Sequence, residues 1–253
     1  MLSVIIPVFN EEGRIGNLLK YLTSHSSDIA HLEIIVVDGG STDRTFEEAR
    51  EYAAAQKYTR IRIIKSAKGR AKQMNYGAAV AEGNILYFLH ADSYPPLHFD
   101  SYINKEVQDG NPAGCFKMRF DSKHWWVRLL SWFTKFNWRA CRGGDQSQFI
   151  TKGLFEEIGG YDEDYIIYED NILINALYEK KKFVVIPQPL TSSARLYEEK
   201  GVWYVQFHFL KIYIKRWQGA DAEELYQYYN DHIRERLQIP AKKHTKTAKA
   251  LTE

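Results

Sequence analysis

Four apolar runs mark the first third of the chain, Ser3 to Val8, Glu33 to Val37, Arg62 to Ile64 and Ile85 to Leu89, with helix-like stretches between them at Gly13 to Ser24, Asp43 to Gln56 and Arg70 to Glu82. The runs are continuous rather than alternating, the pattern of strands buried on both faces. Strand and helix in regular succession predict an α/β fold, a mostly parallel central sheet with helices on both faces. In such sheets the ligand crevice lies beyond the carboxyl ends of the strands. The sequence puts Phe9-Asn10-Glu11-Glu12, Asp38-Gly39-Gly40-Ser41 and His90-Ala91-Asp92 there. The run "ILYFLHADS" therefore ends in an acid at the crevice, since an unpaired carboxylate in the core would be costly.

After Ser93 the rhythm loosens into an aromatic-rich segment at His124 to Arg139, a Gly143-Gly144 turn and a short helix starting near Glu169. We read one domain over residues 1–200, with a nucleotide-binding half (1–93) and an acceptor half (94–200). A C-terminal helical appendage covers 201–239, and a polar, Lys-rich tail over 240–253 is expected to be disordered. In the appendage Trp203, Phe207, Leu210, Ile214 and Trp217 recur at spacings of four, three, four and three, with His208, Lys211 and Lys215 on another face. The segment "HWWVRLLSWFTKFNWRACR" likewise mixes four tryptophans with four basic residues. Two readings stand: both segments pack on the sheet with lysines at their rims, or they lie at a membrane interface.

The 253 residues suffice for a substantial core. The 14% aromatic content is high, and the two aromatic segments account for part of it. Of the net charge of +2, the tail lysines 242, 243, 246 and 249 less Glu253 supply +3, so the rest sits at −1. A nucleic-acid partner is not expected of so neutral a body. Two cysteines, Cys115 and Cys141, suggest neither a disulfide framework nor a metal knuckle, and a reducing, cytoplasmic compartment fits. The start "MLSVIIP" reads as a core strand, so no cleaved leader is expected. Charges interrupt every long apolar stretch, leaving only peripheral membrane contact.

Asp92 either binds a divalent cation or caps the following turn. Asp38 in "VVDGGSTD" either accepts hydrogen bonds from a ligand or organises its own turn, with Ser41 or Thr42 capping the next helix. In "KGRAKQMNYGAAVAEGN" Met74, Gly77, Ala78 and Ala81 share a face small enough to approach the sheet closely. Arg70 and Lys72 at its start suit a diphosphate or are simply solvated.

Seven segments in order, "SVIIPVFNEE", "VVDGGSTDRT", "GRAKQMNYGA", "LYFLHADS", "GGDQSQF", "GGYDE" and "YEDNIL", resemble family 2 glycosyltransferases of the GT-A fold over residues 2 to 203. "FLHAD" and "GDQ" are similar to the compact bacterial branch labelled arsenosugar-biosynthesis-type glycosyltransferases. The resemblance implies a nucleotide-diphosphate sugar donor and a hydroxyl-bearing acceptor, a small molecule or a lipid. Pro7, Phe9, Asn10, Glu11, Asp38 and Gly39 would hold base and ribose, Arg70 would assist, and Asp92 would anchor Mg²⁺ or Mn²⁺ on the diphosphate. His90 replaces the first acid of the family's Asp-X-Asp metal triad and either ligates the metal or supports Asp92. Asp170 would be the general base, with Glu169 as substitute; the residue-level alternative is a helix-capping Asp170. Asp145 would sit near sugar and acceptor, and Arg195 would reach the diphosphate. Together these imply an inverting, metal-dependent transfer. A nucleotidyltransferase on a similar sheet, or a silent nucleotide-sugar binder motivated by His90, are the alternatives. No strand is followed by the G-x-G-x-x-G of dinucleotide enzymes.

Overall fold

The computed structural model describes residues 1–56, 60–143 and 146–234. Eight strands form one sheet: β1 (Leu2–Val8), β2 (Leu32–Asp38), β3 (Arg60–Lys65), β4 (Ile85–Phe88), β5 (Ser93–Tyr94), β6 (Ala113–Asp121), β7 (Gln148–Thr151) and β8 (Val184–Ser193). Their order is β3-β2-β1-β4-β7-β6-β8-β5. The first four are mutually parallel, β7 runs antiparallel to both β4 and β6, and β6 and β8 are parallel.

Both faces of the central strands are covered, which is why their sequences are continuously apolar. On one face Val4, Ile6 and Val8 meet α1 (Ile15–His25) through Ile15, Leu18, Leu19 and Leu22, a helical i, i+3, i+4, i+7 stripe, and α2 (Thr45–Ala55) through Ala49. On the other face Ile5, Ile35 and Val37 meet Met74 and Ala78 of α3 (Arg70–Val80). Strand β3, at the sheet edge, is only half covered; Arg60 is exposed, and Arg62 donates to the buried Glu33 and to the Val80 carbonyl. In the second half come α4 (Phe99–Gln108), α5 (Trp125–Phe133), α6 (Lys152–Glu157), α7 (Glu169–Glu179), α8 (Arg195–Lys200), α9 (Val202–Trp217) and α10 (Ala222–Tyr229). Val127 of α5 and Val205 of α9 share a small core, and Ile212 of α9 packs with Leu225 of α10.

Two expectations are corrected. Neither Ser41 nor Thr42 caps α2, which starts three residues later; the Ser41 hydroxyl accepts from the Asn10 amide at 3.0 Å, and the Thr42 amide donates to Asn10 Oδ1 at 2.9 Å. Inter-loop bonding has taken over the capping groups. His208, expected beside the lysines, is buried with its Nδ1 2.7 Å from the Tyr228 hydroxyl, because Val205, His208 and Ile212 form the inner face of α9. The sequence 240–253 lies outside the described residues.

Gly77 fixes the depth of α3. A Cβ there would stand 2.5 Å from Ile5 Cγ2 and 3.1 Å from Val37 Cγ2. Gly77→Ala is expected to cost about 1–3 kcal/mol through overpacking, despite the better helix propensity of alanine. Urea unfolding checks this; unchanged or increased stability contradicts so close a contact.

Candidate active site

The loops after β1 and β2 are stapled to one another. Asn10, at φ +56°, holds the second loop through the two bonds just described, and the Glu11 amide donates to Thr45 Oγ1 at 2.7 Å. Asp38 is buried and accepts from the amides of Gly40 and Ser41, each at 3.2 Å, so it organises its own turn. Gln73, on the inner face of α3, donates through Nε2 to the carbonyls of Val8 at 2.8 Å and Val37 at 2.7 Å. It clasps the ends of β1 and β2 together, and Gly39 leaves room for it, since a Cβ there would meet the Gln73 amide at 3.0 Å. Phe9 reaches further, with Lys68 Nζ 3.9 Å from its ring centre.

The start of α3 is tied to the start of α7. Gly69, at φ +137°, turns the chain into α3, and the Arg70 side chain then bonds Glu169 Oε1 and lies 3.1 Å from Asp170 Oδ2. Both carboxylates are in the first turn of α7, where the helix dipole favours negative charge. The N-cap of α7 is Tyr168, so Asp170 is not a cap. Both acids are buried; burial pushes the Glu169 carboxyl above its ordinary range, Arg70 opposes this, and the neighbouring Asp170 adds to it. The buried Tyr161 hydroxyl is likewise pushed well up, first by burial and then by the charges of Asp170 and Glu169.

Two adjoining cavities open here, sharing Arg70, Phe120, Leu196, Tyr197 and Phe209 as a common wall. The smaller, about 170 Å³, is lined by His90, Asp92, Ser192, Ser193 and Arg195. Short β5 pairs with the end of β8, and the Ser193 amide donates to the Asp92 carbonyl at 3.3 Å, which brings Arg195, just past β8, beside Asp92. The larger, about 960 Å³, is lined by Phe9 and Asp170 together with side chains of α5, α9 and α10. Asp170 lies on this wall and Glu169 does not.

Of the residues singled out in the sequence, Phe9, Arg70, His90, Asp92, Asp170 and Arg195 therefore line the paired cavities. Pro7, Asn10, Glu11, Asp38 and Gly39 do not; they build the strand-end loops behind Phe9. Asp145 lies outside the described residues. Sequence reasoning missed Gln73, although a polar side chain among small ones on the buried face of α3 was a usable signal. It also missed Ser192 and Ser193, which carried none. Among the described residues no group of three His, Cys, Asp or Glu converges as a closed metal cage. One carboxylate, one imidazole and space for oxygens of a diphosphate and water suit an open hard-cation site instead, Mn²⁺ tolerating the imidazole better than Mg²⁺.

Glycosyl transferase family 2 matches residues 3–187, and the chain belongs to that family. It is 28% identical over 195 residues to the probable glycosyltransferase YdaM of Bacillus subtilis, covering 70% of this chain and 46% of that one. It is 25% identical over 202 residues to an undecaprenyl-phosphate 4-deoxy-4-formamido-L-arabinose transferase of Aeromonas hydrophila, covering 77% and 57%. The chain thus spans about half the length of these relatives. Among solved structures the mannosyltransferase PcManGT of Pyrobaculum calidifontis, in complex with GDP-Man and Mn²⁺, superposes with a TM-score of 0.67 at 17% identity, over 92% of this chain and 68% of that one. The fold is GT-A.

Removing Arg70 leaves two buried carboxylates without its charge. Arg70→Met is expected to cost about 3 kcal/mol, the low end for a broken buried pair because Arg70 is one-third exposed. A glutamate whose folded pKa is raised binds its proton more tightly folded than unfolded. Its contribution to stability is thus greatest below the ordinary glutamate range and falls as pH rises through the raised value. Without the opposing cation that window widens, so the deficit of the variant grows with pH. Urea unfolding at several pH values checks this, and a pH-independent deficit contradicts it.

Proposed function

We propose that the protein is an inverting, metal-dependent glycosyltransferase that moves a sugar from a nucleotide-diphosphate donor to an acceptor hydroxyl. The observation that carries this reading is the shared wall: Asp92 lines one cavity, Asp170 the next, and Arg70 stands between them. The donor's base and ribose rest against Phe9 and the loops of Pro7, Asn10, Glu11, Asp38 and Gly39, with its diphosphate in the smaller cavity. Asp92, with His90 in the same cavity, would hold the cation, which would offset the charge that grows on the departing diphosphate. Arg195, which lines that cavity too, would add its own charge. Arg70 fixes the Asp170 carboxylate at the larger cavity, where it takes the proton of the acceptor hydroxyl. The acceptor oxygen then attacks the anomeric carbon as the bond to the diphosphate oxygen breaks, a single displacement that inverts the centre. Asp145 is assigned to the sugar and acceptor side.

Residues 1–200 form the catalytic unit in this reading, donor half before acceptor half, with the helices after 201 closing the acceptor cavity. The motifs "FLHAD" and "GDQ" support membership of the compact arsenosugar-type branch. The aromatic lining of the larger cavity supports an acceptor with an apolar part. Two free cysteines and a nucleotide-sugar donor support a cytoplasmic setting, and the outward aromatic helices support the inner face of the membrane.

Asp170→Asn is expected to keep the fold and donor binding while losing about 10²- to 10⁴-fold in transfer rate. A normal rate in that variant would refute Asp170 as base. Thermal shift against nucleoside diphosphates and nucleotide sugars, with and without Mn²⁺ or Mg²⁺, tests the donor side. A ligand at 100 times its Kd adds about 2.7 kcal/mol. Asp92→Asn is expected to abolish the metal-dependent part of that shift, and an unchanged shift would rule out Asp92 as the metal anchor.

A further inference from the structure

We infer that the outer face of α5 and α9 docks on an anionic lipid bilayer, a surface that deepens the membrane placement proposed above and rests on it. Trp203, Phe207, Leu210, Ile214 and Trp217 are all exposed, Trp217 at 87%. At about 100° per residue they fall within an arc of about 80°, and the stripe runs about 21 Å along α9. On α5 Trp125 and Trp132 are also exposed, at 61% and 51%. The two helices meet at the Trp126 and Trp203 rings, 5.3 Å apart, so their exposed aromatic residues adjoin. Stacked against these rings are cations: Lys211 Nζ is 4.7 Å from the Phe207 ring centre and Lys135 Nζ is 3.7 Å from that of Trp132.

Charge selects the occupant. Neither α5 nor α9 contains an acidic residue, whereas Arg128, Lys211 and Lys215 lie on them; Arg216 is turned away, over the Tyr165 ring. A second copy in a twofold interface would set these cations against their own equivalents. The remaining stretch of this chain, 235–253, carries Arg236 and four lysines against two glutamates, so it too brings positive charge. Tryptophan flanked by lysine is the composition that settles at the headgroup level of anionic membranes. None of the described helices is long and apolar enough to cross a membrane, so the contact is lateral. Phe133, Trp138 and Tyr213 are both exposed and part of the lining of the larger cavity, which joins the docking face to the place where the acceptor binds.

The test is co-sedimentation of the full chain with phosphatidylcholine vesicles that contain or lack phosphatidylglycerol. Binding is expected only with phosphatidylglycerol, with release by salt. Each basic residue near an anionic surface is worth about fivefold in partition. Lys211→Glu with Lys215→Glu therefore weakens binding at least about twentyfold, and Trp203→Ser with Trp217→Ser weakens it at every salt concentration. Thermal shift by the nucleotide donor is expected to stay unchanged in both variants. In the unaltered chain, absence of docking with an intact donor response overturns the surface alone, while absence of the donor response overturns the glycosyltransferase reading. Failure to sediment at low salt, or equal binding to neutral vesicles, overturns the inference. So does a dimer, seen by sedimentation velocity, that the tryptophan variant abolishes in a chain that ignores vesicles.

Discussion

The bridge from Arg70 to Glu169 and Asp170 joins the two halves of the molecule. It links the first turn of α3 to the first turn of α7, 99 residues on. Two adjacent buried carboxylates repel each other and are poorly solvated, an arrangement that is costly unless a cation and a helix dipole stand beside them. Both are present. The bridge therefore sets where Asp170 can be, which is the positioning that the proposed proton transfer requires.

Arg70 starts a helix, α3, that lies close on the sheet. Gly77 removes the side chain that would hold the helix away from Ile5, Ala78 continues the small face, and Gln73 ties the helix to the ends of β1 and β2. At the other end of the sheet, short β5 docks on the last residues of β8 and carries Asp92 to Arg195. Backbone pairing thus brings two residues that are 103 positions apart in the chain to the lining of one cavity. The parallel strands supply a common edge, and the antiparallel excursion through β6 and β7 supplies its far wall.

Much of this was legible in the sequence because burial on both faces leaves a simple mark. The runs of β1, β2 and β4 are apolar but for the buried Ser3 and Glu33, and an acid that ends such a run, as Asp92 does after β4, points to the crevice. Asp38 obeyed the same rule and yet turned inward, since a Gly-Gly-Ser turn offers its own amides and a carboxylate takes the nearest donors. The acid pair at 169 and 170 was read from its motif; its tie to Arg70 was not, because nothing local encodes a contact between the starts of two distant helices. Gln73 and the serines at 192 and 193 belong to the same class of long-range arrangement.

The helix α9 shows where pattern reading inverts. Its bulkiest stripe, which packing logic would send to the core, points outward, while Val205, His208 and Ile212 face in. The inner side packs against Tyr197, Tyr228 and Tyr229 and borders the larger cavity. One helix can then work on both sides, lining a cavity of about 960 Å³ within and presenting tryptophans without. On the docking inferred above, an acceptor with an apolar part would pass from the second environment to the first without leaving apolar surroundings.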